Sequence, residues 1–82
     1  MFYVYLLQSE KDKSFYIGQC EDIFVRLERH NAGYVASTKK QLPWNLIGYE
    51  EFSKREKARW REYQLKNSFS KKKRFIEKLM SS

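Results

Sequence analysis

The chain has one cysteine, one histidine, one proline and three glycines among its 82 residues. A lone cysteine, Cys20, excludes an internal disulfide and a cysteine-built zinc site. A lone histidine, His30, argues against a zinc hydrolase or a nuclease built on several histidines. No apolar run approaches the roughly 20 residues that span a bilayer. The N-terminus also lacks the basic-then-apolar layout of a signal peptide, so the expected compartment is the reducing cytoplasm. Little glycine and proline, with 33 % of residues charged, fits a folded domain better than a flexible tail.

A chain of 82 residues holds one domain, 1–82, with no room for a second core. What it has in quantity is rings. Six Tyr, six Phe and two Trp let a small core bury a large area per residue. Its charge is uneven: residues 1–52 hold 6 Lys and Arg against 7 Asp and Glu, whereas 53–82 hold 11 against 3. The net +7 therefore comes entirely from the last third. Such a concentration is the footprint of a polyanion partner. Without a strongly apolar amphipathic face beside it, nucleic acid fits better than a membrane. The plainer account is a solvated helical face that keeps the protein in solution.

Patterning divides the chain into short elements. FYVYLL (2–7) predicts a strand buried on both faces, SEKDKS (9–14) a polar turn, and FYIG (15–18) a second strand completing an antiparallel hairpin. With Tyr5 opposite Tyr16, both rings would share a face. Asp22 is a candidate N-cap for a helix over 23–32. Ile23, Phe24 and Leu27 define its apolar face, with His30 and Asn31 at or near that stripe and Arg26 at its edge. Residues 32–43 read as an irregular loop ending at Pro43, and WNLIGYEEF (44–52) as a third strand. Helices are predicted over 54–68 and 70–80, the second with Phe75, Ile76, Leu79 and Met80 inward.

One residue disturbs this pattern. Ala58, Leu65 and Phe69 mark a core-facing stripe on the first of these helices, and Glu62 lies on it. A carboxylate among apolar groups is costly unless it is paired, with Arg59 or Lys66 for instance, or binds a cation.

Taken in order, these motifs resemble the GIY-YIG nuclease superfamily, and in particular its small single-domain bacterial members. YVY (3–5) stands at the first motif with Tyr5 as its tyrosine, and Tyr16-Ile17-Gly18 matches the second letter for letter. Arg26 matches the family arginine, His30-Asn31 the His-Asn pair of this subgroup, and Glu62 the metal-binding glutamate. TKKQLPW (38–44) and GYEEF (48–52) resemble the subgroup's loop and third strand, so the likeness covers about residues 2–80. The chain departs from the pattern in several places. Tyr3 replaces a glycine, Gln19 stands where some repair members carry lysine, and Lys57 stands near a position where relatives often carry glutamate. A downstream asparagine of larger members has no counterpart.

The resemblance implies an α/β (α+β) domain, a three-stranded antiparallel sheet flanked by helices. It also implies hydrolysis of a phosphodiester with one divalent metal, Mg²⁺ or Mn²⁺, held by Glu62; DNA is the expected substrate, and the residues alone do not separate it from RNA. Carboxylate suits such a hard cation, which keeps several waters and takes a further ligand from phosphate. Arg26 would meet the charge that builds on the phosphate. Tyr16 would orient or deprotonate the attacking water, although a phenol with reference pKa near 10 is a poor base unless neighbours lower it. Tyr5 would hydrogen-bond near the nucleophile, and His30 would position Tyr16 or the water, or contact phosphate. Thr38, Lys39, Lys66, Lys71, Lys72, Lys73 and Arg74 would contact nucleic acid, the last four without sequence preference.

Each of these residues has a structural alternative. Tyr5 and Tyr16 could be core rings, His30 a satisfied core histidine, Asn31 a helix C-cap near Gly33, and Thr38 and Lys39 loop decoration. Cys20 could act as a nucleophile with His30 or simply pack. Trp44 or Trp60 could stack on an unpaired base, with core packing the duty of at least one. The alternative function is a non-catalytic nucleic-acid-binding module on the same fold, with a basic-tailed protein that recruits an acidic partner more remote. Glu62 beside a polyanion discriminates them, since it repels phosphate unless a metal intervenes. No appended recognition domain is in sight. Substrate choice would then follow structure, be weak, or depend on a protein partner, and cutting both strands would take two subunits or two events.

Overall fold

In the computed structural model, which describes residues 1–81, the chain runs β1 (Phe2–Ser9), β2 (Phe15–Cys20), α1 (Ile23–Asn31), β3 (Trp44–Phe52), α2 (Arg55–Asn67) and α3 (Phe69–Met80). A single 3₁₀ turn, Lys39–Gln41, interrupts the loop before β3. The strands form one antiparallel sheet in the order β2-β1-β3. β1 is thus central, and its Val4, Leu6 and Leu7 are fully buried, as a strand covered on both faces requires.

Alternation along the strands splits the interior in two. On one face Val4, Leu6 and Ile17 meet Ala58 and Leu65 of α2 and Phe75 and Leu79 of α3. On the other, Tyr5, Leu7 and Cys20 meet Ile23 of α1 and Trp44. The second cluster is aromatic and partly polar, and the candidate site grows from it. Glu50 of β3 ties the sheet to both long helices: Arg61 holds it at 2.8 and 3.2 Å and Lys78 at 2.9 Å. Burial works to raise the Glu50 carboxyl, but these charged donors outweigh it and hold it below the usual carboxylate range.

The register corrects one expectation. Tyr5 lies opposite Gly18, and Tyr16 opposite Leu7, so the two tyrosines are diagonal neighbours on a shared face rather than a direct pair. Three apolar residues expected inside are outside: Phe24 is 77 % exposed, Phe69 84 % and Met80 49 %. α1 meets the sheet through a narrow stripe of Ile23, Leu27 and His30, leaving Phe24 on its shoulder. Met80 lies likewise beside the Phe75–Leu79 stripe. Phe69 fails for a different reason. The helix breaks at Ser68, whose extended backbone (φ −134°, ψ 111°) and side-chain bond to Lys71 N make it the N-cap of α3. Phe69 therefore starts a new helix and does not continue the α2 stripe.

The ends of α1 follow from local chemistry. Asp22 accepts from Val25 N at 3.1 Å as N-cap. At the other end Gly33 takes φ 81°, its N–H bonds His30 O at 3.2 Å, and Tyr34 N bonds Arg29 O at 3.0 Å. This closes the helix with a left-handed glycine, so Ala32 is the C-cap and Asn31 is left free for another duty. Among the described residues no helix is long and apolar enough to cross a membrane.

Leu65→Ala is expected to cost about 2–5 kcal/mol through the cavity it leaves, and Phe69→Ala no more than about 0.5 kcal/mol. Urea unfolding of both variants checks this, and equal losses would place Phe69 in the core.

Candidate active site

The site starts from a glycine. Gly18 faces Tyr5 across the strand pair, and the Tyr5 ring lies over it. A Cβ added there would come within 2.5 Å of Tyr5 Oη and 2.7 Å of Tyr5 Cζ. Only hydrogen fits, and this lets a phenol lie flat in a space where its hydroxyl reaches α1. That hydroxyl is 3.0 Å from His30 Nε2, and His30 Nδ1 is 2.9 Å from Thr38 Oγ1. Thr38 Oγ1 in turn donates to Val35 O at 3.3 Å.

This row has one consistent proton assignment. A backbone carbonyl only accepts, so the Thr38 hydroxyl donates to Val35 and its oxygen accepts from His30 Nδ1–H. Burial keeps the imidazole neutral, so Nε2 is bare and Tyr5 O–H donates to it. Tyr5, His30 and Thr38 are 3 %, 1 % and 1 % exposed, so the row is sealed from solvent. Burial first, then the neighbouring Tyr16, push the Tyr5 phenol far above its ordinary value, with Arg26 opposing and Cys20 and Glu62 adding. Burial and the Arg26 charge hold the His30 pKa below 6.5. Tyr5 is accordingly a fixed neutral phenol and His30 a fixed neutral acceptor.

Asn31 and Trp44 brace this arrangement. Asn31 Nδ2 donates to Trp44 O at 3.0 Å, and Asn31 Oδ1 accepts from Trp44 N at 2.7 Å, as a neighbouring strand would. Trp44 Nε1 donates to Thr38 O at 3.0 Å. Loop 32–43 is thereby folded back with Thr38 underneath His30. Two expectations are corrected here. Asn31 is a clamp and not a C-cap, and Thr38, expected to contact nucleic acid or to decorate the loop, is instead a buried partner of His30. The Cys20–His30 pairing is excluded too: both imidazole nitrogens are engaged, and burial pushes the Cys20 thiol up, with Arg26 opposing.

Tyr16 differs from Tyr5. Its ring sits edge-on to His30 (centroids 4.9 Å) and Trp44 (6.2 Å) and 6.3 Å from Tyr5, yet it is only half-buried. No hydrogen bond engages its hydroxyl among the described residues. Arg26 acts electrostatically on Tyr5, Cys20 and His30 together, and it forms no ion pair among the described residues. From α2, Glu62 acts on Tyr5 as well. The Glu62 carboxylate, with 24 % of its side chain exposed, pairs with Lys66 at 3.0 Å, and the Lys66 ammonium lies 5.6 Å from the Tyr16 ring centroid.

Tyr5, Tyr16, Arg26, His30, Glu62 and Lys66 are thus brought together. Lys39 is exposed on the loop beside the buried Thr38, and Lys71, Lys72, Lys73 and Arg74 lie apart on exposed α3. Gln19, opposite Val4, belongs to the other face of the sheet and keeps a buried Oε1 without a partner.

Tyrosine, tyrosine over glycine, helix arginine and helix glutamate in one cluster agree with the comparison to known families, where the GIY-YIG catalytic domain matches residues 1–75. The chain belongs to this family. Its relatives include a UPF0213 protein of Staphylococcus haemolyticus, 40 % identical over 65 residues (78 % of each chain). Another, from Staphylococcus saprophyticus, is 39 % identical over 73 residues, covering 88 % of this chain and 87 % of that one. The solution NMR structure of the UPF0213 protein BH0048 from Bacillus halodurans aligns with TM-score 0.58 at 31 % identity, over 94 % of this chain and 84 % of that one. GIY-YIG membership carries nuclease-type chemistry on nucleic acid at the level of the family.

Within that frame the donor set can be tested against a metal. No group of three or more His, Cys, Asp or Glu that could hold one exists among the described residues. Glu62 supplies one carboxylate, which fits a Mg²⁺ or Mn²⁺ that keeps its waters and takes substrate phosphate as a ligand. The Lys66 ammonium balances Glu62 meanwhile.

Two outcomes are expected from the buried row. Because the folded His30 pKa lies below its unfolded value, the unfolded chain binds more protons. Its contribution is complete above about pH 6.5 and is lost as pH falls through the folded pKa. His30→Gln should flatten this part of the urea midpoint between about pH 7 and pH 5. Gly18→Ala should cost about 1–3 kcal/mol by displacing the Tyr5 ring, measured by the same unfolding.

Proposed function

We propose that the protein is a metal-dependent endonuclease that hydrolyses phosphodiester bonds in DNA, directed by substrate structure or only weakly specific. The observation that carries this reading is the convergence of Arg26, the free Tyr16 hydroxyl and the partly exposed Glu62 on the rigid Tyr5–His30 pair. A Mg²⁺ or Mn²⁺ ion on Glu62 would supply Lewis-acid polarisation of the phosphate and stabilisation of the leaving oxygen.

The chain's own residues divide the remaining work. Tyr5, fixed as a hydrogen-bond donor to His30, positions; it is too strongly held in its neutral form to act as a base. Tyr16, one ring away and open at its hydroxyl, orients the attacking water. Arg26, unpaired among the described residues, offers its planar fork of donors to the charge that grows on the phosphate oxygens. His30 holds Tyr5 and, through ring contact, Tyr16 in place. Lys66 has two roles in sequence: it balances Glu62 in the free protein and turns to a DNA phosphate once that carboxylate is engaged. Beyond the site, Lys71 to Arg74 on α3 add affinity without reading sequence.

The Glu62–Lys66 pair also favours a second reading, since a non-catalytic DNA-binding module would neutralise its carboxylate in just this way. Cleavage of labelled duplex, flapped, branched and single-stranded DNA and of RNA, with Mg²⁺, Mn²⁺ or EDTA, separates the two. Glu62→Gln is expected to keep binding and lose at least about 10²-fold in rate, and Arg26→Ala about 10²–10³-fold. If wild type binds equally well with metal or EDTA and cuts nothing, the binding module is the better description.

A further inference from the structure

α2 and α3 carry the positive excess, but part of it is spoken for within the fold. Arg55 pairs with Glu21, Arg61 and Lys78 with Glu50, and Lys66 with Glu62. Arg59 and Lys71 have no ion pair among the described residues. Between these two cations stand two rings that the core does not use. Trp60 and Tyr63 are each 58 % exposed, and they stack on one another with centroids 5.5 Å apart and planes 17° from parallel.

The stack is anchored. With the Gln64 amide turned so that its oxygen faces its donors, Trp60 Nε1 and Lys71 Nζ both donate to Gln64 Oε1, each at 3.2 Å. The indole is thereby held by a ring on one side and an amide at its edge, and the ammonium of α3 stands beside it. Trp44, the other tryptophan, is 3 % exposed and belongs to the core, so Trp60 alone is available for stacking.

We propose that Trp60, Tyr63 and Lys71 form a stacking subsite for an unpaired base and its phosphate in single-stranded DNA. This deepens the nuclease reading and rests on it for the choice of DNA. At 100° per residue, Lys66 and Arg59 lie between Glu62 and the two rings around α2. A helix with its side chains is about 10–12 Å across, so a strand whose phosphate lies at Arg26 and Glu62 passes over Lys66 and Arg59 and sets a neighbouring nucleotide on the stack. Charge selects the occupant. An apolar protein surface seated on the rings would leave Arg59 and Lys71 desolvated without partners, whereas a nucleotide brings both a flat ring and an anion. Stacking reads the face of a base and not its edge, so the subsite discriminates unpaired from paired strands without reading sequence.

The test is binding by the full-length protein in EDTA, so that it stands whether or not the protein cuts. Single-stranded oligothymidylate and a duplex of equal length are titrated, following tryptophan emission and the anisotropy of the labelled DNA. Single strands should quench the emission of wild type, and the quench should vanish in Trp60→Phe, which keeps a ring and only Trp44. Trp60→Ala should weaken single-strand binding roughly tenfold while leaving duplex binding within about twofold. Lys71→Gln should reduce the slope of log Kd against log salt by about 1. Unchanged single-strand affinity in both Trp60→Ala and Tyr63→Ala would overturn the proposal. So would equal losses for single strands and duplex, or a change from dimer to monomer by sedimentation in Trp60→Ala, which would make the stack a contact between copies. Cleavage without ring dependence would leave the nuclease reading standing alone, and ring-dependent binding without cleavage would leave only the subsite.

Discussion

The buried hydrogen bond from Tyr5 to His30 is the constraint on which the rest of the site depends. It joins the central strand to α1 across the sheet face, and both groups are almost wholly out of water. A buried phenol and imidazole are stable only when every polar atom has a partner. That demand extends the bond into a row, from Tyr5 through His30 and Thr38 to the Val35 carbonyl. Loop 32–43 is ordered because the end of the row lies in it, and because Asn31 and Trp44 close it with three further bonds. Gly18 belongs to the same requirement: without room above it, the Tyr5 ring could not reach His30.

The rigidity of this row has a functional meaning. Two tyrosines of similar chemistry sit on one face, yet their surroundings separate them. Tyr5 is sealed, donating and neutral, while Tyr16 keeps an open hydroxyl near the solvent boundary. On the proposed reading, this difference in environment gives one phenol a positioning role and the other a substrate-facing one. Electrostatics around them is also deliberate in sign. Arg26 brings positive charge to the sealed row and forms no ion pair among the described residues, whereas Glu62, which acts on Tyr5 in the opposite sense, is balanced by Lys66. The cluster therefore offers an anion two cations and a single carboxylate.

α2 unites the interior, the site and the outer surface. Its buried residues Ala58 and Leu65 fill the core beneath the sheet, Arg61 anchors Glu50, Glu62 turns to the tyrosines, and Trp60 and Tyr63 face water. One helix can do this because its side chains point in all directions around the axis while its backbone bonds are satisfied internally. The division of cations follows the same geometry, with Arg61 and Lys78 held at the sheet by Glu50 and others on the outside.

Much of this was legible in the residues themselves. The alternating and 3.6-residue patterns marked the strands and helices, and Tyr5, Tyr16, Arg26, His30 and Glu62 stood out by type and order, because periodicity and motif spacing are properties of the chain alone. Other features were settled by the tertiary structure. Ser68 breaks the helix and turns Phe69 outward, a choice between continuing and capping that depends on how α3 docks. Register placed Gly18, not Tyr16, opposite Tyr5, since the pairing depends on which faces the helices cover. Thr38 and Asn31 were visible as residue types, but their partners, His30 and Trp44, lie eight and thirteen positions away along the chain. Contacts of that kind exist only once the loop has folded back, and no local pattern encodes them.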